Sequence, residues 1–116
     1  VIVLTGDTHN SWLNNLYDKN NNFIGVEIGA PAISSPNTID TFGSLTNGIE
    51  EGFIKENKHV KWTEGKHKGY ALLKLTNDNA IVNFIYVDSV KTKNYMVINS
   101  NKFNIKSNEP IAHDEI

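Results

Sequence analysis

The run Val1-Ile2-Val3-Leu4 carries no polar side chain, and it limits what the chain can become more than any other feature. Four consecutive apolar residues leave no face for water, so they predict a strand buried on both faces, as in a parallel sheet covered by helices. The run leads into Gly6-Asp7-Thr8-His9-Asn10, which sets a carboxylate, an imidazole and an amide within four positions. A carboxylate at the carboxyl end of a buried parallel strand sits where open α/β sheets place their ligands. Burying it in ionised form is costly unless it is paired or coordinates a cation. Side chains two residues apart in an extended segment lie on one side. Asp7 and His9 are therefore candidate metal ligands, an oxygen and a nitrogen suited to iron, zinc or manganese. Ordinary capping stays open as an alternative at this point, with Asp7 and Asn10 capping the next element and His9 exposed.

The rest of the composition excludes more than it assigns. At 116 residues the chain has the size of one domain with a single core. A net charge of −2 gives no electrostatic footprint for nucleic acid. Every basic residue is Lys, so the chain supplies no bidentate guanidinium clamp for phosphate. Cysteine is absent, which excludes disulfides and thiolate metal ligation. No apolar run approaches the ~20 residues of a membrane span, and no signal peptide is visible. The chain starts on a core-type strand without Met, and we read it as a segment of a longer protein or a processed chain.

Local patterning predicts an order β-α-β-α followed by antiparallel strands. Asn10 or Ser11 is placed to cap a short helix whose apolar face is Trp12, Leu13, Leu16 and Tyr17. Residues 23–29 read as a second strand, with Gly25 and Gly29 marking close backbone approach. Residues 38–55 read as helix in two pieces, with Ile39, Phe42 and Leu45 in one and Leu45, Ile49 and Phe53 in the next. His59 to Trp62 suggests a short strand with Val60 and Trp62 on one face. Residues 70–76 and 80–88 flank the turn Asn77-Asp78-Asn79, and their alternation predicts a hairpin with Ala71, Leu73 and Leu75 together. Beyond Val90 the chain is polar, with one short strand near residues 95–98 and a tail from Ser107.

Two other chemistries fit poorly. The apolar strand followed by Gly6 is like the start of a dinucleotide-binding turn, but no further glycines follow and Asp7 would repel a pyrophosphate. Ser11, Ser34 or Ser35 with His9 would make a hydrolase pair, yet no Gly-x-Ser-x-Gly elbow is present. His59, His67 and His113 have no regular spacing and read as loop residues.

The segment from Val3 through Gly6-Asp7-Thr8-His9-Asn10-Ser11-Trp12 resembles the Gly-Asp-x-His-Asn-Ser-Trp motif of the alkaline phosphatase D (PhoD-like) metallophosphoesterases. Later segments follow in the family's order. Gly25-Val26-Glu27-Ile28 through Ser34-Ser35-Pro36 is similar to its Gly-Val-Glu strand and Ser-Pro loop. Asn57-Lys58-His59-Val60-Lys61-Trp62 resembles Asn-Pro-His-(Ile/Leu)-(Lys/Arg)-Trp, and His67-Lys68-Gly69-Tyr70 precedes a similar terminal hairpin ending at Asp88. The likeness runs from residue 1 to about 92, which leaves 93–116 as a polar C-terminal extension or tail.

The resemblance implies an α/β fold, the C-terminal half of a metallophosphatase-type β-sandwich flanked by helices. It implies hydrolysis of phosphate monoesters or diesters at a metal centre holding iron and calcium, and a secreted or periplasmic setting. Asp7 then matches a metal ligand, His9 a catalytic residue that ligates metal or meets the bound phosphate, and Asn10 a support of the loop. The family's other ligands belong to an N-terminal half of the same domain, which this chain lacks, so the segment is expected to be inactive alone. Lys58 departs from the family's Pro before His59. A non-catalytic scaffold or assembly domain that keeps the fold is the alternative.

Overall fold

Residues 70–88 form the hairpin that their alternation predicts, and its inward row organises the core. The computed structural model describes residues 1–111 of the chain, with the side chains of residues 99 and 100 left aside. Strands β5 (Lys68–Leu75) and β6 (Asn79–Val87) pair antiparallel, with Ala71 opposite Phe84 and Leu73 opposite Val82. Along β6, Ala80, Val82, Phe84 and Tyr86 are buried while the residues between them are half-exposed, the period-2 pattern of a strand with one face on the core. A third strand, β7 (Val97–Lys106), lies on the other side of β6.

The first half of the chain builds a second sheet in the order β1-β3-β2-β4, from β1 (Ile2–Thr5), β2 (Ser11–Tyr17), β3 (Phe23–Gly29) and β4 (Val60–Glu64). Leu13, Val26 and Ile28 from this sheet join Val82, Phe84, Tyr86, Phe103 and Ile105 in one buried cluster, so the two sheets pack face to face. Trp62 closes the cluster, 4.9 Å from the Phe84 ring and 5.0 Å from that of Phe103. The result is a mixed α/β sandwich dominated by sheet. Helices α1 (Thr38–Phe42) and α2 (Thr46–Glu56) follow β3, joined by a 3-10 turn at Gly43–Leu45. The break falls at Gly43, whose φ of 54° is a left-handed value that glycine adopts without steric cost. Among the described residues, no helix is long and apolar enough to cross a membrane.

Several expectations are corrected. Residues 11–17 form a strand, not a helix, giving β-β-β-α-α before the later strands. The segment is hydrogen-bonded to β3 on one side and β4 on the other, so pairing on both flanks overrides a four-residue coincidence of helical spacing. The run that starts at Val1 pairs in parallel with β3 through Ile2–Thr5; within this segment β1 has a neighbour on one side alone, and Val1 and Leu4 are 85% and 65% exposed. Uniform apolarity shows that a strand tolerates cover on both faces, not which segment covers it. Val60 and Trp62 part company: a register shift between Leu13 and Asn14 pairs Trp62 with Leu13 and Val60 with Asn14, and only Trp62 packs on the core cluster. The two-piece helix is present, yet Phe42, Leu45 and Phe53 are exposed, Phe53 meeting the Trp12 ring edge-on. The glycines of β3 do mark close approach, since a side chain at Gly25 would strike Val1 and one at Gly29 would strike Trp12.

Within residues 93–116, the described part carries a strand, β7. The strand there runs to Lys106 and buries Phe103 and Ile105, and Ile111 reaches the core. Its polar residues alternate with the apolar ones, which dilutes the apolar signal without removing it. His113 lies outside the described residues. What holds Ile111 is a buried amide: Asn15 Nδ2 donates to the Ile111 carbonyl at 3.0 Å, and the Ile111 N–H donates to Asn15 Oδ1 at 2.9 Å. Replacing Asn15 with Ala strands both backbone groups, at about 1–3 kcal/mol for each one left unpaired. Asn15→Ala is expected to lower unfolding stability accordingly and to expose the C-terminal stretch to protease. Unchanged denaturation and proteolysis would show that the pair holds nothing.

Candidate metal site

The chain leaves β1 at Thr5 and enters β2 at Ser11, so residues 6–10 must reverse direction within five positions. They do so with two left-handed residues, Asp7 at φ 72° and His9 at φ 65°, and with the Thr8 N–H donating back to the Gly6 carbonyl at 2.9 Å. Left-handed backbone in residues other than glycine is sparsely populated and persists where surrounding contacts over-determine it. Asp7 and His9 thus share one tight loop through its turns, not through the strand alternation expected for an extended segment.

The contacts that hold the loop are specific. Asn10 is buried and bonds Thr38, its Nδ2 donating to Thr38 Oγ1 at 2.7 Å. The Trp12 indole N–H donates to Thr8 Oγ1 at 2.8 Å, and the Trp12 ring meets Phe53 edge-on. The His9 carbonyl accepts from the Ala32 N–H at 3.3 Å, and its ring Nδ1 lies 2.6 Å from the Pro36 carbonyl oxygen. Two groups are left available. The exposed Asp7 carboxylate has no hydrogen bond or ion pair among the described residues, and neither has His9 Nε2.

Those two groups fit a metal site by their donor chemistry. A free carboxylate and an imidazole tethered through one nitrogen are the ligand types that iron and zinc centres use. They do not complete one. No group of three or more His, Asp or Glu side chains placed to hold an ion exists among the described residues. The other described histidines, His59 and His67, are engaged elsewhere. The His67 Nδ1–H donates to Glu64 Oε1 at 2.9 Å and the ring stacks on Tyr86, which makes it more engaged than the loop residue expected. The exposed His59 contributes its carbonyl to the Asn15 N–H.

The serine readings also resolve. Ser11 is fully buried and its Oγ is hydrogen-bonded to Tyr86 Oη at 2.8 Å, so it joins the two sheets and does not face His9. Ser34 and Ser35 are exposed and make no bond to His9. What sequence inspection missed is the role of residues 30–38, whose backbone and side chains hold His9 and Asn10. No side-chain pattern announces a segment that works mainly through its carbonyls.

With this geometry in hand, comparison with known proteins decides the family. Residues 1–84 match the model of the PhoD-like phosphatase family. The chain belongs to the PhoD-like phosphatases. A solved structure described as "Structure of PhoD" superposes with a TM-score of 0.63 at 22% identity, which shows that the sandwich is shared. The alignment covers 91% of this chain and 20% of that one, so the chain spans one fifth of the length of that relative. A search of curated proteins finds no match.

Tyr86 offers a check on the inter-sheet tie beneath the loop. Burial pushes its hydroxyl above the usual tyrosine range, and the nearby Glu64 and Glu50 carboxylates push the same way against the Ser11 hydrogen bond. A raised folded value means the contribution is fully present below pH ~10, where unfolded tyrosine ionises, and is lost as pH rises beyond it. Tyr86→Phe is expected to cost about 1–2 kcal/mol at neutral pH and to flatten the alkaline decline in stability. Denaturation curves taken across the alkaline range test both, and an unaltered decline would place its origin elsewhere.

Proposed function

We propose that this chain is the part of a metal-dependent phosphoric ester hydrolase that supplies Asp7 and His9 to the metal and phosphate site. The observation that carries the proposal is the 6–10 loop itself. In a family of phosphatases, at the carboxyl end of a parallel strand, it presents one carboxylate and one imidazole nitrogen that have no partner among the described residues. In this reading Asp7 Oδ atoms and His9 Nε2 hold the metal, iron or calcium being the ions the family resemblance implies, or His9 meets a phosphate oxygen. Bound metal would neutralise phosphate charge and lower the pKa of a coordinated water. The chain's own part is positional. Two left-handed residues set the ligands on one loop, and Ala32, Pro36 and Thr38 keep that loop from relaxing.

Two ligands are fewer than any such centre needs, since a catalytic zinc site uses three protein ligands and calcium takes 6–8 oxygens. The remaining donors belong to the rest of the domain, and the segment alone is inactive in this reading.

The test uses the intact protein that carries this chain, with nitrophenyl phosphate and its bis ester as substrates. Asp7→Asn and His9→Ala are each expected to lower kcat/KM by more than about 100-fold, beyond the 10–100-fold typical of groups that only orient a ligand, and to reduce bound metal. Full turnover and metal content in both variants would reject the assignment and favour a scaffold that keeps the fold without its chemistry.

A further inference from the structure

We infer that Asn37 is a positioning residue for His9, acting through the Pro36 carbonyl to hold the imidazole as the Nδ1–H tautomer with Nε2 unprotonated. The inference rests on the reading of His9 as a ligand and adds which nitrogen does the work and what keeps it there. A carbonyl oxygen only accepts, so the 2.6 Å contact between His9 Nδ1 and Pro36 O requires the proton on Nδ1. In the neutral ring the lone pair is then on Nε2, the nitrogen that no described residue engages. Metal-bound histidines commonly donate their second N–H to such a carbonyl, which fixes ring orientation and raises ligand basicity.

A carbonyl fixes a tautomer only if it is itself fixed. Pro36 contributes a locked φ, and the next residue supplies the anchor. Asn37 is 4% exposed, and its Nδ2 donates to the His67 carbonyl at 3.0 Å. Its backbone N–H donates to Asp40 Oδ2 at 3.0 Å, and its Oδ1 lies 3.4 Å from Lys68 Nζ. Parallel ties run beside this one. The Ala32 N–H reaches the His9 carbonyl while the Ala32 carbonyl accepts from the Gly69 N–H at 3.0 Å, and the Ile39 N–H donates to the Gly65 carbonyl at 3.0 Å. Residues 30–38 therefore form a middle layer between the ligand loop and the turn joining β4 to β5. Even the turn's glycine is used, because a side chain at Gly65 would come within 2.8 Å of Asn10 Oδ1 and Thr38. The turn is stiffened by Glu64, which accepts from the Lys66 N–H and bonds His67 Nδ1.

The competing role for Asn37 is helix capping alone, since it precedes α1. The two roles separate in Asn37→Asp, which keeps an acceptor oxygen for the helix but cannot donate to the His67 carbonyl. The experiment is a long-range 1H–15N correlation spectrum of His9 in the intact, metal-free protein, at a pH where the ring is neutral. It needs no variant for its first result. A protonated Nδ1 and an unprotonated Nε2 are expected, and an Nε2–H tautomer would overturn the inference. In Asn37→Asp and Asn37→Ala, a mixture of tautomers and roughly tenfold weaker binding of added iron are expected. A loss of stability with tautomer and metal affinity unchanged would reduce Asn37 to a cap and overturn its positioning role. His9→Ala tests the underlying reading separately: if it leaves metal affinity intact, His9 is no ligand, whatever its tautomer.

Discussion

The inward row of β2, Ser11, Leu13 and Asn15, ties the rest of the structure together. These three side chains alternate along the central strand of the first sheet and are almost wholly buried. Leu13 enters the shared core, Ser11 bonds Tyr86 of the second sheet, and Asn15 clasps the backbone of Ile111. One strand therefore joins both sheets and the C-terminal stretch. Two of its three anchors are polar, which makes register strict: a slip of one residue would leave buried hydroxyl and amide groups without partners.

That strictness is what gives the 6–10 loop its fixed footing. The loop has five residues between β1 and β2, the strand through which both sheets and the C-terminal stretch are joined. Two left-handed residues follow from this economy of length, and the 30–38 layer holds the loop from the other side through His9, Asn10 and their partners. A loop braced from both directions holds its side chains in place, which is what the proposed metal site requires of its donors. The Lys at position 58, where the resemblance shows Pro, sits away from this bracing and donates to Asn21 Oδ1.

Much of the sandwich was legible from pattern. The hairpin of β5 and β6 follows from alternation and turn residues, and the two-piece helix from its apolar spacing. The errors share a cause. Residues 11–17 have a helix-like spacing over too short a window to outweigh pairing on two flanks, and the residues of β7 hide an alternating strand among Asn and Lys. The bulge that separates Val60 from Trp62 has no local signature, because it is a property of two strands in register. At the site, Asp7 and His9 stand out as residue types, while Pro36 and Asn37 do not, since they act through a carbonyl and an amide that any loop contains.

The sequence by itself determined the local preferences, the family motif and the identity of the two ligand candidates, all of which depend on side-chain chemistry and near neighbours. Tertiary structure alone decided that residues 11–17 extend and that an asparagine is buried within the sheet. It also decided which nitrogen of His9 is tethered. The tether of His9 and the clasp of Asn15 turn on hydrogen bonds between residues 27 and 96 positions apart, and no pattern read along the chain contains the energy of a contact that only folding creates.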